Sequence, residues 1–260
     1  MREAIAWSGA GRRTRPSSPP GIRAALLLLL ALSGCPRAAQ APAARLPSSP
    51  DARLAAVRAR EDQVQTLRAR FSSVTRVGEE ERHTDGVLLV AKPDRFRMRL
   101  MLPFGFTVFD YLNVGEQTWM TLPLADAQQR ERAGAFAPFS RQDLAEAFLR
   151  GPYAFPGECT PAPAAGDTVW VSCHVAGALR RTYLIGADGI AEETSYDGDA
   201  PRMHIAYTDY RAAGGTTLPF RITLDYPQRQ QSVDITIDRY EVNPSLSDDL
   251  FAPAPADRAN

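Results

Sequence analysis

Histidine and cysteine are scarce, with three of each in 260 residues, and the residues most often used for catalysis are thinly spread. No Gly-x-Ser-x-Gly, His-Glu-x-x-His, phosphate-cradling glycine loop or zinc-spaced cysteine pairing occurs, so hydrolase, metalloprotease, nucleotide-binding and zinc-ribbon chemistry lose their usual signatures. His174 sits beside Cys173 and would point to the opposite face of a strand, while His83 and His204 lack any ligand at metal spacing. Asp197-Gly198-Asp199 begins like a calcium loop, lacks the later ligands and reads as a turn. The expectation is a non-enzyme with no cofactor and no metal. There is no excess of charge of either sign: thirty basic residues balance thirty acidic ones. Five arginines against one glutamate lie in the first 35 residues, leaving 25 basic and 29 acidic side chains on the rest. That excludes a basic nucleic-acid footprint. Composition is otherwise globular, at 44% hydrophobic and 23% charged, and one domain is the default.

One long apolar run exists, residues 24–32, and it is too short to span a bilayer as a mature helix. Arg12, Arg13, Arg15 and Arg23 precede it and Leu32-Ser33-Gly34-Cys35 ends it, the layout of an export signal. Arg12-Arg13 suggests a twin-arginine leader, but Thr14, Arg15 and Pro16 fit that pattern poorly. Leu-Ser-Gly-Cys resembles the bacterial lipobox, which implies residues 1–35 as a lipoprotein signal peptide and Cys35 as the acylated (palmitate-bearing) membrane anchor. Pro36 stands where an aspartate would signal inner-membrane retention. An acylated Cys35 implies export to a compartment in which disulfides persist.

Cys159 and Cys173 flank a turn-rich stretch, Pro161 to Asp167. They are either two free thiols or a disulfide; the bridge is favoured and would be worth on the order of 3 kcal/mol in the chain-entropy model.

Residues 36–50, rich in alanine, proline and serine, read as a flexible tether, 51–252 as the folded domain and 253–260 as a disordered tail. Ser49-Pro50-Asp51 is a helix start, and Leu54, Val57, Val64 and Leu67 share one face of the helix it opens, with Arg53, Arg60 and Asp62 opposite. From Phe71 the period changes to two. Residues 71–77, 86–91, 95–102, 106–112 and 117–122 read as strands joined by turns. In 95–102, Phe96, Met98 and Leu100 form an apolar face while Arg95, Arg97 and Arg99 form a wet one. Ser140 to Gly151 predicts a mid-chain helix. Strands follow at 168–175, 179–185, 190–196, 203–210, 217–225 and 233–242, then a helical turn at 245–251. The sum is a mainly β half-open antiparallel barrel of about eleven strands, with a leading and a mid-chain helix across its concave face.

Residues 92–110, Lys-Pro-Asp-Arg-Phe-Arg-Met-Arg-Leu-Met-Leu-Pro-Phe-Gly-Phe-Thr-Val-Phe-Asp, resemble the third and fourth strands of the LolB family of outer-membrane lipoprotein receptors. The leading helix into a first strand and the mid-chain helix match the same family, whose relative LolA is a soluble periplasmic carrier. The resemblance implies a lipoprotein-transport chaperone that holds acyl chains of lipoproteins or lipids in a hydrophobic cavity and delivers them to the membrane. It implies the outer membrane, facing the periplasm, as the location, and as partners those acylated cargoes, a LolA-like carrier and the membrane, with the protein itself a monomer. On alternation, the cavity is expected between Phe96, Met98, Leu100 and Val108 of the sheet and Leu54, Val57, Val64 and Leu67 of the helix. The same side chains as a filled core would instead suit a non-transferring envelope scaffold or adaptor. The family's turn places Pro103, Phe104 and Gly105 as a membrane-insertion loop, with Phe104 at its tip.

Overall fold

The computed structural model describes residues 45–102, 105–122 and 155–253. Helix α1 runs Pro50–Gln63. It starts where expected: Ser49 caps it through the Ala52 N–H, Pro50 occupies the first turn and Asp51 faces the positive end of the helix dipole. It ends sooner than expected. Val64 adopts an extended conformation as C-cap and donates its N–H to the Glu61 carbonyl, so Val64 and Leu67 are not on the helix. Strand pairing takes over from Thr66 because β-branched Val64 and Thr66 favour extended backbone, and ladder hydrogen bonds outweigh another helical turn.

Among the described residues, twelve strands form one antiparallel sheet that does not close. They are β1 Thr66–Val77, β2 Glu80–Ala91, β3 Arg95–Met101, β4 Thr107–Val114, β5 Gln117–Thr121, β6 Glu158–Pro163, β7 Val169–Val175, β8 Ala178–Ile185, β9 Ile190–Asp197, β10 Ala200–Ala213, β11 Thr216–Tyr226 and β12 Gln231–Val242. Their spatial order is β5-β4-β3-β2-β1-β12-β11-β10-β9-β8-β7-β6. Two meanders are therefore joined where β1 pairs with β12, and β5 and β6, consecutive among the described strands, are the two edges. The extra strand relative to expectation is β6, hidden by its prolines. Pro161 and Pro163 lack an N–H to donate, which an edge strand tolerates. A disulfide joins Cys159 of β6 to Cys173, its direct partner on β7.

Alternation sets the faces. Phe71, Phe96, Met98, Tyr111, Tyr183, Ile205, Leu224 and Ile235 are among the inward side chains that build the main core. Outside the sheet, Leu89, Ala91 and Leu112 form a second cluster beneath Phe251 of a closing 3-10 turn, Asp248–Phe251. That cover corrects the wet face expected on β3. Arg97 is buried there, bidentate to Asp110 at 2.9 and 2.6 Å, and donates to the carbonyls of Leu250 and Ala252 at 2.9 and 3.0 Å. A guanidinium is retained under this flap because each buried donor finds an acceptor.

Two further residues expected outside lie inside. Leu46, within the stretch read as tether, is buried in the main core and donates its N–H to the Ala187 carbonyl at 2.7 Å. Arg53, placed on the solvent side of the helix, is 0% exposed. Its guanidinium donates to the carbonyls of Pro47 and Asp167 and to the Asp167 carboxylate, pinning α1 to the β6–β7 turn. The expected mid-chain helix at 140–151 lies outside the described residues.

Candidate functional site: an apolar cavity on the concave face

Helix α1 packs chiefly on β6, β7 and β11, over one part of the concave face. Beside it lies a cavity of about 90 Å³. Leu67 and Phe71 of β1, Leu88 and Val90 of β2, Leu218, Ile222 and Leu224 of β11, and Ile235, Ile237 and Tyr240 of β12 line it, with Ile205 and Tyr207 of β10 at the far side. Val64, Glu61 and Lys92 complete the wall where the helix ends. The position follows from the register. Leu67, Ala69 and Phe71 oppose Val90, Leu88 and Gly86, so the inward row on β1 and β2 has a small residue at Ala69 and no side chain at Gly86. The Phe71 ring lies over Gly86.

Of the eight side chains expected to line a cavity, Val64 and Leu67 do so, from the helix cap and β1. Leu54, Val57, Phe96, Met98 and Leu100 are buried in the packed core and are not part of this wall, and half-buried Val108 packs against the same core. Phe96 meets Tyr111 edge-on with ring centroids 5.8 Å apart, leaving no space between them for a ligand. The cavity thus lies further along the sheet than expected, where strands β1 and β12 bring the two meanders together. Phe71, Leu88, Ile222, Ile235 and Ile237 were visible in the sequence as alternating apolar positions. Only the β1–β12 pairing shows that they surround one space.

Among the described residues the wall holds few polar side chains, and its two tyrosine hydroxyls are matched. Tyr207 donates its hydroxyl to Glu193 at 3.1 Å, and Arg181 donates to the other oxygen of that carboxylate at 2.6 Å. Burial, then the Glu193 charge, pushes both the Tyr207 and the Tyr183 phenols well above their ordinary value, which keeps them protonated. Tyr240 donates to the Pro219 carbonyl at 2.9 Å. At the mouth, the Lys92 ammonium donates to the Glu61 carbonyl at 2.7 Å and stands 3.8 Å from the Glu61 carboxylate. Burial raises the Glu61 carboxyl to about 7, a shift that Asp62 adds to and that Lys92 and Arg58 oppose. Among the described residues there is no group of three or more potential metal ligands. No helix there is long and apolar enough to cross a membrane. Such a site can hold an apolar chain.

Cys35, Pro103 and Phe104 lie outside the described residues. Gly105 is exposed and takes φ +83°, a left-handed value that suits glycine in a tight turn, and its N–H reaches the Leu102 carbonyl at 3.1 Å. The flanking Leu102 and Phe106 are 41% and 59% exposed, so this end of the β3–β4 hairpin presents large apolar side chains to solvent.

No family model matches the chain, and neither does any curated protein. Solved structures do. A DUF1329 family protein from Desulfovibrio piger superposes with a TM-score of 0.55 at 14% identity, covering 76% of this chain and 94% of that one. A putative outer membrane lipoprotein-sorting protein domain from Vibrio parahaemolyticus gives a TM-score of 0.55 at 13% identity, covering 76% and 95%. A LolA superfamily protein from Nitrosomonas europaea gives 0.54 at 10% identity, covering 77% and 97%. At these identities the likeness is one of fold: the chain has a LolA/LolB-like, half-open barrel.

Proposed function

We propose that the protein is a lipid-anchored carrier of the bacterial outer membrane, facing the periplasm, that takes acyl chains of lipoproteins or lipids into this cavity and delivers them to the membrane. The observation that carries the reading is the apolar cavity beside α1, on a fold shared with a lipoprotein-sorting domain. Its volume of about 90 Å³ suits a segment of one ligand rather than a bundle of chains, and because the cavity is partly open the rest of a longer ligand can lie outside it. Each methylene transferred from water contributes about 0.8 kcal/mol, so a short segment suffices for reversible holding and for release without a covalent step. Exposed Leu102 and Phe106 supply an apolar hairpin end that meets a bilayer once Cys35 has tethered the domain.

The test is binding of a neutral apolar fluorophore, such as Nile red, to the purified protein. Wild type binds it. Leu88→Trp and Ile222→Trp, which fill the cavity from two strands, lose binding while keeping the β-sheet circular dichroism spectrum. Undiminished binding in both folded variants, or no binding by wild type, overturns the carrier. In cells, Cys35→Ser leaves the membrane fraction if the anchor is as proposed, and its retention there overturns the anchor.

A further inference from the structure

Lys92 is the only lysine in the chain, against 29 arginines. It stands at the rim of an apolar cavity, where Glu61 is the one other charged residue of the wall among the described residues. We propose that the cavity selects a single-chain amphiphile with an anionic head, the chain lying between β1, β2 and β12 and the head pairing with the Lys92 ammonium. This rests on the carrier reading and deepens it by naming the ligand's polar end.

The geometry supports a head-group contact. A lysine runs its butyl stem along apolar wall and holds a compact charge at the water boundary, where an arginine would present a planar fork suited to fixed bidentate pairing. The Lys92 backbone is tied down by its N–H to the Gln65 carbonyl at 2.9 Å, so the stem starts from a set position beside the cavity. Its ammonium has three donors, and one of them goes to the Glu61 carbonyl. The Glu61 carboxylate at 3.8 Å is beyond hydrogen-bond distance. Burial raises that carboxyl to about 7, so near neutral pH it leaves much of the lysine's charge uncancelled. Capping a last helical carbonyl accounts for one donor and does not explain why the chain's sole lysine sits at the cavity.

Competition against Nile red bound to the purified protein tests the inference. Laurate, dodecyl phosphate and dodecanol share a twelve-carbon chain and differ in head. At least one of the two anions is expected to displace the dye at about tenfold lower concentration than dodecanol, and whichever is stronger identifies the head as carboxylate or phosphate. Lys92→Gln should erase that gap, read as the ratio of anion to dodecanol displacement within the variant itself, and Lys92→Arg should keep most of it. Raising salt should narrow the gap in wild type without moving dodecanol. Equal displacement by all three compounds in wild type overturns the proposal even if Lys92→Gln fails to fold, and so does a gap that survives Lys92→Gln. In either case the carrier stands, because the dye is still bound. Failure of wild type to bind Nile red removes the carrier reading itself.

Discussion

Gly86 lies in the middle of β2, directly opposite Phe71 on β1. Backbone propensity says that Gly86→Ala should stabilise the protein, because glycine inside a strand costs roughly 0.5–1 kcal/mol relative to alanine. Packing says the reverse. A methyl group built on Gly86 falls 2.1 Å from Cζ of Phe71, 2.4 Å from Cε2 and 2.6 Å from Cε1, against about 3.4 Å for ordinary contact. The ring must retreat by more than 1 Å, and Phe71 is both 4% exposed and part of the cavity wall. It can move only by separating the strands or by turning into the cavity. Overpacking of this kind costs about 1–3 kcal/mol, which exceeds the propensity gain, so the net effect is destabilising. For a domain of this size each kcal/mol lowers Tm by about 2–4 °C. Calorimetry on wild type, Gly86→Ala, Phe71→Leu and the double variant forms a closed cycle, and the smaller leucine should relieve the clash, giving a coupling of about 1 kcal/mol or more in favour of the double. Nile red affinity should fall in Gly86→Ala and recover in the double, since the displaced ring occupies ligand space. A Tm equal to or above wild type in Gly86→Ala, or a coupling near zero, would refute the packing argument.

Arg181→Met removes a cation hydrogen-bonded to the buried Glu193 carboxylate and should cost about 3–5 kcal/mol in urea unfolding; adding Glu193→Gln removes the buried charge while an amide oxygen still accepts from Tyr207, so the double should recover more than half. A double no more stable than the single would show that the charge was not the cost. For Glu61 the folded carboxyl sits at about 7 against 4.5 for the free group, so the folded state holds the proton more tightly. That contribution is full below about pH 4.5 and is lost as pH rises to about 7, a decline on the order of 1–2 kcal/mol once screening at a partly exposed side chain is allowed for. Glu61→Gln, which cannot ionise, should lack this decline between pH 5 and 7.5, and equal pH slopes for the two proteins would contradict the assignment.

Local chemistry was enough to read most of the described elements. Ser49-Pro50-Asp51 marks the start of α1, glycine-bearing turns punctuate the meanders, and the alternation of Phe96, Met98 and Leu100 against three arginines assigns β3 its faces, because caps, turns and side-chain period depend on near neighbours. Which of those faces is wet, and where a gap remains, depends on residues far away in the chain. Arg97 is buried because a segment some 150 residues later covers it, and Arg53 because the β6–β7 turn offers it a carboxylate and a carbonyl. β6 was concealed because its two prolines are tolerable only at an edge, and being an edge is a property of the whole sheet. Likewise the cavity wall combines β1 with β12 and β11, segments about 140 residues or more apart, whose periodicity is identical to that of the filled core around Phe96. Space is left where α1 stops short, and neither pairing nor coverage is encoded in any local window.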